Sequence, residues 1–199
     1  MKIGKPIIAG LMGLTTMTPC KAQRSVNLIS ETGISGLVNK EASFYTGLNF
    51  EIPRGKNYAD FYGGISVNPE KKASFVGLAI ENYAWHKHLS SWGRETFVAS
   101  NRNVSSTLEI APVRANANAG KFNFSISPSY ALYNNFKGAD KGTKQGFNTI
   151  LQMVYKLSKK ETFFVEAKYS TDPAKNLFNT SFGKPKNNTS YMASYLLNL

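Results

Sequence analysis

The sequence predicts an all-β chain folded as an antiparallel up-and-down transmembrane β-barrel of 8 to 10 strands. Three observations carry the prediction. Seven runs alternate apolar and polar residues with period two, the pattern of a strand whose faces meet different surroundings. Their apolar faces stay free of charge over roughly nine to eleven residues, the length a tilted strand needs to cross a bilayer. No internal stretch approaches the roughly 20 apolar residues of a membrane-spanning helix, while Gly, Tyr, Phe, Asn and Ser are plentiful, as strands and turns prefer.

Residues 1–22 read as an export signal, leaving 23–199 as a single barrel domain. Lys2 and Lys5 form a basic start, Pro6–Leu14 an apolar centre too short to span, and Cys20 and Ala22 the small pair before a cut at Gln23. Two alternatives stay open: a buried N-terminal element, and a lipoprotein acylated at Cys20, although Pro19 is unlike the residue that precedes such sites. Cys20 is the only cysteine, so a chain cut at Gln23 crosses an oxidising compartment with no disulfide to form. Loss of Lys2, Lys5 and Lys21 leaves +9 of the +12 formal charge. Exported proteins rarely meet nucleic acid, so phosphorylated lipid headgroups are the expected anionic partner.

The regular runs follow in order. Glu41–Ile52 sets Phe44, Thr46, Leu48, Phe50 and Ile52 against Tyr45, Gly47, Asn49 and Glu51. Tyr58–Val67 sets Ala59, Phe61, Gly63, Ile65 and Val67 against Asp60, Tyr62, Gly64 and Ser66. Ser74–Ala84 places Val76, Leu78 and Ile80 on the face expected to meet lipid. Phe122–Leu132, Gly146–Leu157 and Thr162–Ser170 repeat the alternation, and Thr189–Leu199 closes the chain. Three runs are less regular: Ser25–Val38, broken by Gly33 and Gly36; the short Arg94–Asn101; and Val104–Asn118, where Leu108 and Ile110 fall out of phase with Val113 and Ala115, as a bulge would cause. Ten strands result, or eight without the first and fifth; bacterial barrels take even numbers. Alternation by itself also suits a soluble lipocalin-like carrier, with its apolar face turned inward.

Counted back from the end, Tyr191, Ala193, Tyr195, Leu197 and Leu199 put an apolar or aromatic residue at every second position. This resembles the C-terminal signature of small outer-membrane β-barrel proteins, which usually ends in Phe where this chain has Leu199. The resemblance implies the outer membrane of a Gram-negative bacterium, contact with its lipids and lipopolysaccharide, and recognition of Tyr191, Tyr195, Leu197 and Leu199 by the barrel-assembly machinery. Segment lengths agree: with the C-terminus in the periplasm, Asn134–Gln145 and Thr171–Asn188 are long outer loops and Ser158–Glu161 a tight inner turn.

Concentrated polar chemistry occurs once, in Tyr83–Trp92, which holds both histidines and both tryptophans. No catalytic set is assigned. His86, His88 and Ser90 share a side if extended, and Glu81 or Glu95 is near enough in sequence to complete a Ser–His–carboxylate set. His88-Leu89-Ser90 resembles the spacing in lipid A deacylases, and that rival needs the segment in an outer loop of an eight-strand barrel. The plainer reading makes Trp85 and Trp92 a membrane-interface belt. No metal or cofactor is expected: two histidines lack further ligands, and there is no Walker, dinucleotide or zinc spacing. Lys and Arg, Arg94 among them, concentrate near turns; Lys137, Lys141, Lys144, Lys175, Lys184 and Lys186 are placed beside lipopolysaccharide phosphates. The function expected is a non-enzymatic barrel with an envelope-structural or surface-binding role, because eight to ten strands leave an interior largely filled by side chains.

Overall fold

A computed structural model describes residues 26–35, 43–54, 56–67, 73–100, 104–137, 141–171 and 189–199. The export segment and its cut at Gln23 lie outside the described residues, as do Lys175, Lys184 and Lys186. Ten strands form a closed antiparallel barrel: β1 Asn27–Ser35, β2 Ser43–Arg54, β3 Asn57–Val67, β4 Ala73–His86, β5 Leu89–Ala99, β6 Val104–Ala119, β7 Phe122–Lys137, β8 Gly142–Lys156, β9 Glu161–Ser170 and β10 Thr189–Asn198. Each strand pairs with its neighbour in sequence, and β1 pairs with β10 from Ile29↔Asn198 to Ser35↔Met192. Closure leaves no strand edge unpaired, which a bilayer demands of a sheet.

Period two sorts the side chains. Phe44, Phe50, Phe61, Ile65, Ile126, Phe147 and Leu151 are exposed on the outside of the barrel. Their strand neighbours Asn49, Asp60, Ser66, Ser125, Ser127, Ser129 and Asn148 are buried within it. The wall is therefore apolar outside and polar inside, the reverse of a soluble carrier with an apolar interior. No helix among the described residues is long and apolar enough to cross a membrane; the crossing is made by strands.

Four expectations are corrected. First, β4 is turned over: Val76, Leu78 and Ile80 line the interior, and Phe75 is exposed outside. Both faces of β4 are apolar, so its alternation names no outer face. The interior claims Val76, which packs with Val98, Ala131 and Tyr133, against Tyr62. Second, β5 begins at Leu89, so β4 and β5 form a tight hairpin where an eight-strand barrel has a loop. Third, β7 and β8 run to Lys137 and from Gly142, so the expected long loop Asn134–Gln145 shrinks to 138–141. Fourth, Arg94 lies in the middle of β5 and not at a turn. The bulge in β6 is where the phase change put it: its pairing with β7 shifts between Ile110 and Ala115.

The strand ends that join β1 to β2, β3 to β4, β5 to β6, β7 to β8 and β9 to β10 lie at one end of the barrel; those that join β2 to β3, β4 to β5, β6 to β7 and β8 to β9 by short turns lie at the other. With the short turns in the periplasm, as in such barrels, the first end is the outer one.

Candidate functional site

The interior of the barrel holds a charged network that strand order alone brings together. Glu109 of β6 is its hub, 1% exposed. Arg94 Nη2 donates to Glu109 Oε2 at 2.6 Å, and Lys168 Nζ of β9 reaches the same carboxylate at 3.1 Å. Ser129 Oγ donates to Glu109 Oε1 at 2.7 Å, and the Asn148 side-chain amide donates to the same oxygen. Across the lumen Arg94 Nη1 meets Glu166 Oε2 of β9 at 3.3 Å, and Gln152 Nε2 donates to that oxygen at 2.8 Å. Two carboxylates thus hold two cations, with neutral donors filling further lone pairs; a buried ion pair needs that satisfaction.

Beside the network sits Trp92, 5% exposed. Its Nε1–H donates to Ser127 Oγ at 3.2 Å, its ring packs with Ala111 and Ile150, and the Arg94 guanidinium stands 5.2 Å from its centroid. Arg114 donates to Gln152 Oε1 at 2.6 Å and Ser125 Oγ at 3.1 Å. These bonds tie β5 and β6 to β7, β8 and β9 and fill that side of the lumen.

Toward the short-turn end the lumen opens, and residues of all ten strands line it. A cavity of about 1440 Å³ enters from the short-turn end, where Lys56, Lys121, Lys159 and Lys160 ring its mouth, and runs inward to Ser66, Val76 and Val98. Tyr45 and Tyr62 lie flat along its wall because glycines leave room: a Cβ on Gly33 would come within 2.5 Å of the Tyr45 hydroxyl, and one on Gly64 within 2.2 Å of the Tyr62 hydroxyl. Both distances are far inside van der Waals contact. Toward the outer end the lumen narrows against Val76, Val98, Ala131 and Tyr133.

The sequence candidates scatter. His86 ends β4 and His88 precedes β5, at the short-turn end, with ring centroids 5.9 Å apart. His88 Nδ1 lies 3.2 Å from the Asn116 carbonyl, and Ser90 Oγ accepts from the Asn116 amide at 3.1 Å. Among the described residues neither histidine bonds Ser90. Glu95 sits one position from the interior residues Arg94 and Thr96, on the outer face, away from Ser90. The geometry forms no Ser–His–carboxylate set and places the segment away from the outer loops. No group of three or more His, Cys, Asp or Glu is gathered for a metal among the described residues. Trp85 is exposed at a barrel rim, whereas Trp92 belongs to the lumen and not to an interface belt. Lys137, Lys141 and Lys144 are exposed at the outer tip of the β7–β8 hairpin. Tyr191, Tyr195 and Leu199 are exposed on the outside of the closing strand and just beyond it; Tyr195 donates to Glu161 at 2.6 Å.

Sequence reading passed over Arg94, Glu109, Glu166 and Lys168 as a set. Their signal was present as charges in mid-strand on the face opposite the apolar one. Pairing them required the closed register.

A closed, even-stranded barrel with an apolar exterior and a charged interior is an outer-membrane β-barrel, and its place is the outer membrane of a Gram-negative bacterium. No protein-family model and no curated protein matches the chain. Among solved structures the fold is similar to the KdgM porin in complex with disordered oligogalacturonate, at 13% identity and a TM-score of 0.50, over 87% of this chain and 99% of that one. The NanC porin is similar at 10% identity and a TM-score of 0.44, over 86% and 100% of the two chains. An OmpT loop-deletion mutant, from an outer-membrane protein of Vibrio cholerae, matches at 11% identity and 0.39, over 81% and 56%. At these identities the likeness is one of fold.

Proposed function

We propose that the chain is a narrow channel for small polar solutes across the outer membrane. The observation that carries this reading is the cavity. A barrel serving only as an envelope strut needs a filled interior, as a ten-strand wall readily provides. Here the Glu109 network fills part of the lumen, and beside it about 1440 Å³ stays open between walls of mixed charged, polar and apolar side chains. The KdgM porin, a barrel of similar fold, is described in complex with disordered oligogalacturonate, which supports passage of a polar solute. The outer narrowing at Val76, Val98 and Tyr133 makes the passage selective rather than wide.

The test is conductance of the purified, refolded protein in planar bilayers. Discrete small steps are expected. Glu109→Ala, which loosens the filled part, raises the step size. Membranes holding heat-modifiable, folded protein that pass no more current than bare lipid, for both forms, would return the chain to the strut reading. We further propose that exposed Lys137, Lys141 and Lys144 meet lipopolysaccharide phosphates. Replacing all three with Gln should weaken retention of the folded barrel on immobilised lipopolysaccharide and make that retention less sensitive to salt.

A further inference from the structure

We propose that the β1–β3 wall of the lumen binds the ammonium group of a solute. Delivery of that solute rests on the channel reading; the binding does not. The wall carries Glu31, Glu51 and Asp60, all lining the cavity. Among the described residues none of the three has an ion pair; the pairs present belong to Arg94 and Lys168 on the opposite side. Inside a lysine-ringed mouth, this stretch of wall is therefore acidic.

A second observation points to a ligand. Asn49 is 8% exposed and Asp60 9%, and the Oδ1 atom of each is buried with no hydrogen-bond partner. Buried acceptors left unpaired cost free energy, so a donor is wanted there. Register places them together: Glu51 faces Asp60 across the β2–β3 ladder, and Asn49 faces Tyr62 in the next inward row. Directly opposed Cβ atoms lie about 4.5–5.5 Å apart and diagonal ones, as for Asn49 and Asp60, about 7–8 Å, a span one small group between the side chains can bridge. Glu51 Oε1 already accepts from Asn27 at 2.9 Å, and Glu31 from the Tyr45 hydroxyl at 3.2 Å. That fixes both carboxylates in place.

The chemistry selects an ammonium. It brings three donors on one atom, matching Asp60 Oδ1, Asn49 Oδ1 and the second oxygen of Glu51. Tyr45 and Tyr62, edge to face with centroids 6.4 Å apart, offer aromatic surface to the cation and its alkyl stem. A metal fits less well, because the carboxylates are not gathered into a ligand group. An anion would find its partners at the lysine-ringed mouth and not on this wall.

Isothermal titration of the full barrel in detergent micelles tests this, with n-butylammonium chloride against sodium butyrate and calcium chloride. Saturable binding of butylammonium, tighter than that of butyrate, is the expected result. Asp60→Asn with Glu51→Gln, verified as folded by heat-modifiable migration, should weaken it about tenfold or more. The wild-type comparison needs no variant and stands if the double variant fails to fold. Butyrate binding as tightly as butylammonium, unchanged affinity in the folded double variant, or displacement of butylammonium by calcium at equal concentration would each overturn the assignment. Conductance is read apart from binding. A barrel that binds butylammonium yet passes no current ends the channel reading and keeps this site; one that conducts without binding does the opposite.

Discussion

Glu109→Ala is the substitution with the most to say about how this barrel is held. The change strips the acceptor from Arg94 at 2.6 Å and Lys168 at 3.1 Å, and from Ser129 and Asn148. Deleting one partner of a buried ion pair costs about 3–5 kcal/mol, because the other charge is left without compensation. Arg94 keeps Glu166 and borders the cavity, where water can reach it. Lys168 is 2% exposed and has no such relief. The loss should therefore fall at the lower end, about 3 kcal/mol. Urea unfolding in lipid vesicles measures it: with a slope of about 2 kcal/mol/M the midpoint drops by about 1.5 M. Adding Lys168→Met removes the stranded cation and should return part of the loss, a coupling of about 1–3 kcal/mol. A loss under about 1 kcal/mol, or a double variant whose losses simply add, would refute the hub role and make the network incidental to stability.

The orientation of β4 is tested by a pair of lysines: Phe75→Lys, facing lipid, should cost about 2 kcal/mol near the midplane and less toward the rim, while Leu78→Lys, facing the cavity, should be borne with little loss. The reverse order in the same urea assay would restore the face that periodicity suggested. Deleting Leu197–Leu199 removes the Leu199 N–H bond to the Leu28 carbonyl and the end of the closing ladder. Heat-modifiable membrane protein should fall and soluble periplasmic chain rise, whereas Leu199→Phe should insert at least as well; full insertion of the truncated chain would show that the terminal alternation is ordinary strand periodicity and not an assembly signal.

The barrel was legible wherever one face was uniformly apolar and the other was not. β2, β3, β7, β8 and β9 have Phe, Leu, Ile or Val opposite Asn, Asp, Ser, Glu or Lys, and the structure keeps those faces. β4 defeated the same rule because Phe75, Gly77 and Ala79 oppose Val76, Leu78 and Ile80. Judged by side-chain size, the wrong face looks outward. β5 was obscured for a related reason: its outer face carries Ser91, Gly93 and Glu95 while its inner face holds Trp92 and Val98. The site was less legible than the fold. Glu166 and Lys168 stood out as interior charges, yet nothing local ties them to Arg94 and Glu109. Those four meet because a ten-strand closure brings β9 across the lumen from β5, a relation that only the register supplies. The acidic wall was hidden differently. Glu51, Asp60 and Asn49 look like ordinary interior polar residues until the register sets them side by side and the Oδ1 atoms of Asn49 and Asp60 prove to have no partner.

The β1–β10 seam has a consequence for how the chain reaches this form. Every other ladder joins strands adjacent in sequence, so each hairpin can zip as soon as its two halves are present. The seam alone pairs Ile29 with Asn198, and it must wait for almost the whole chain. Its loop-closure entropy cannot be offset in advance by local contacts, and non-local pairing of this kind is slow to form. Folding should therefore end in one late step, the capture of the first strand by the last. Until that step both terminal strands expose a row of bare amides and carbonyls. The vulnerable species is a nearly complete sheet open along one line, and its lifetime decides between a finished cylinder and a chain that pairs with a neighbour.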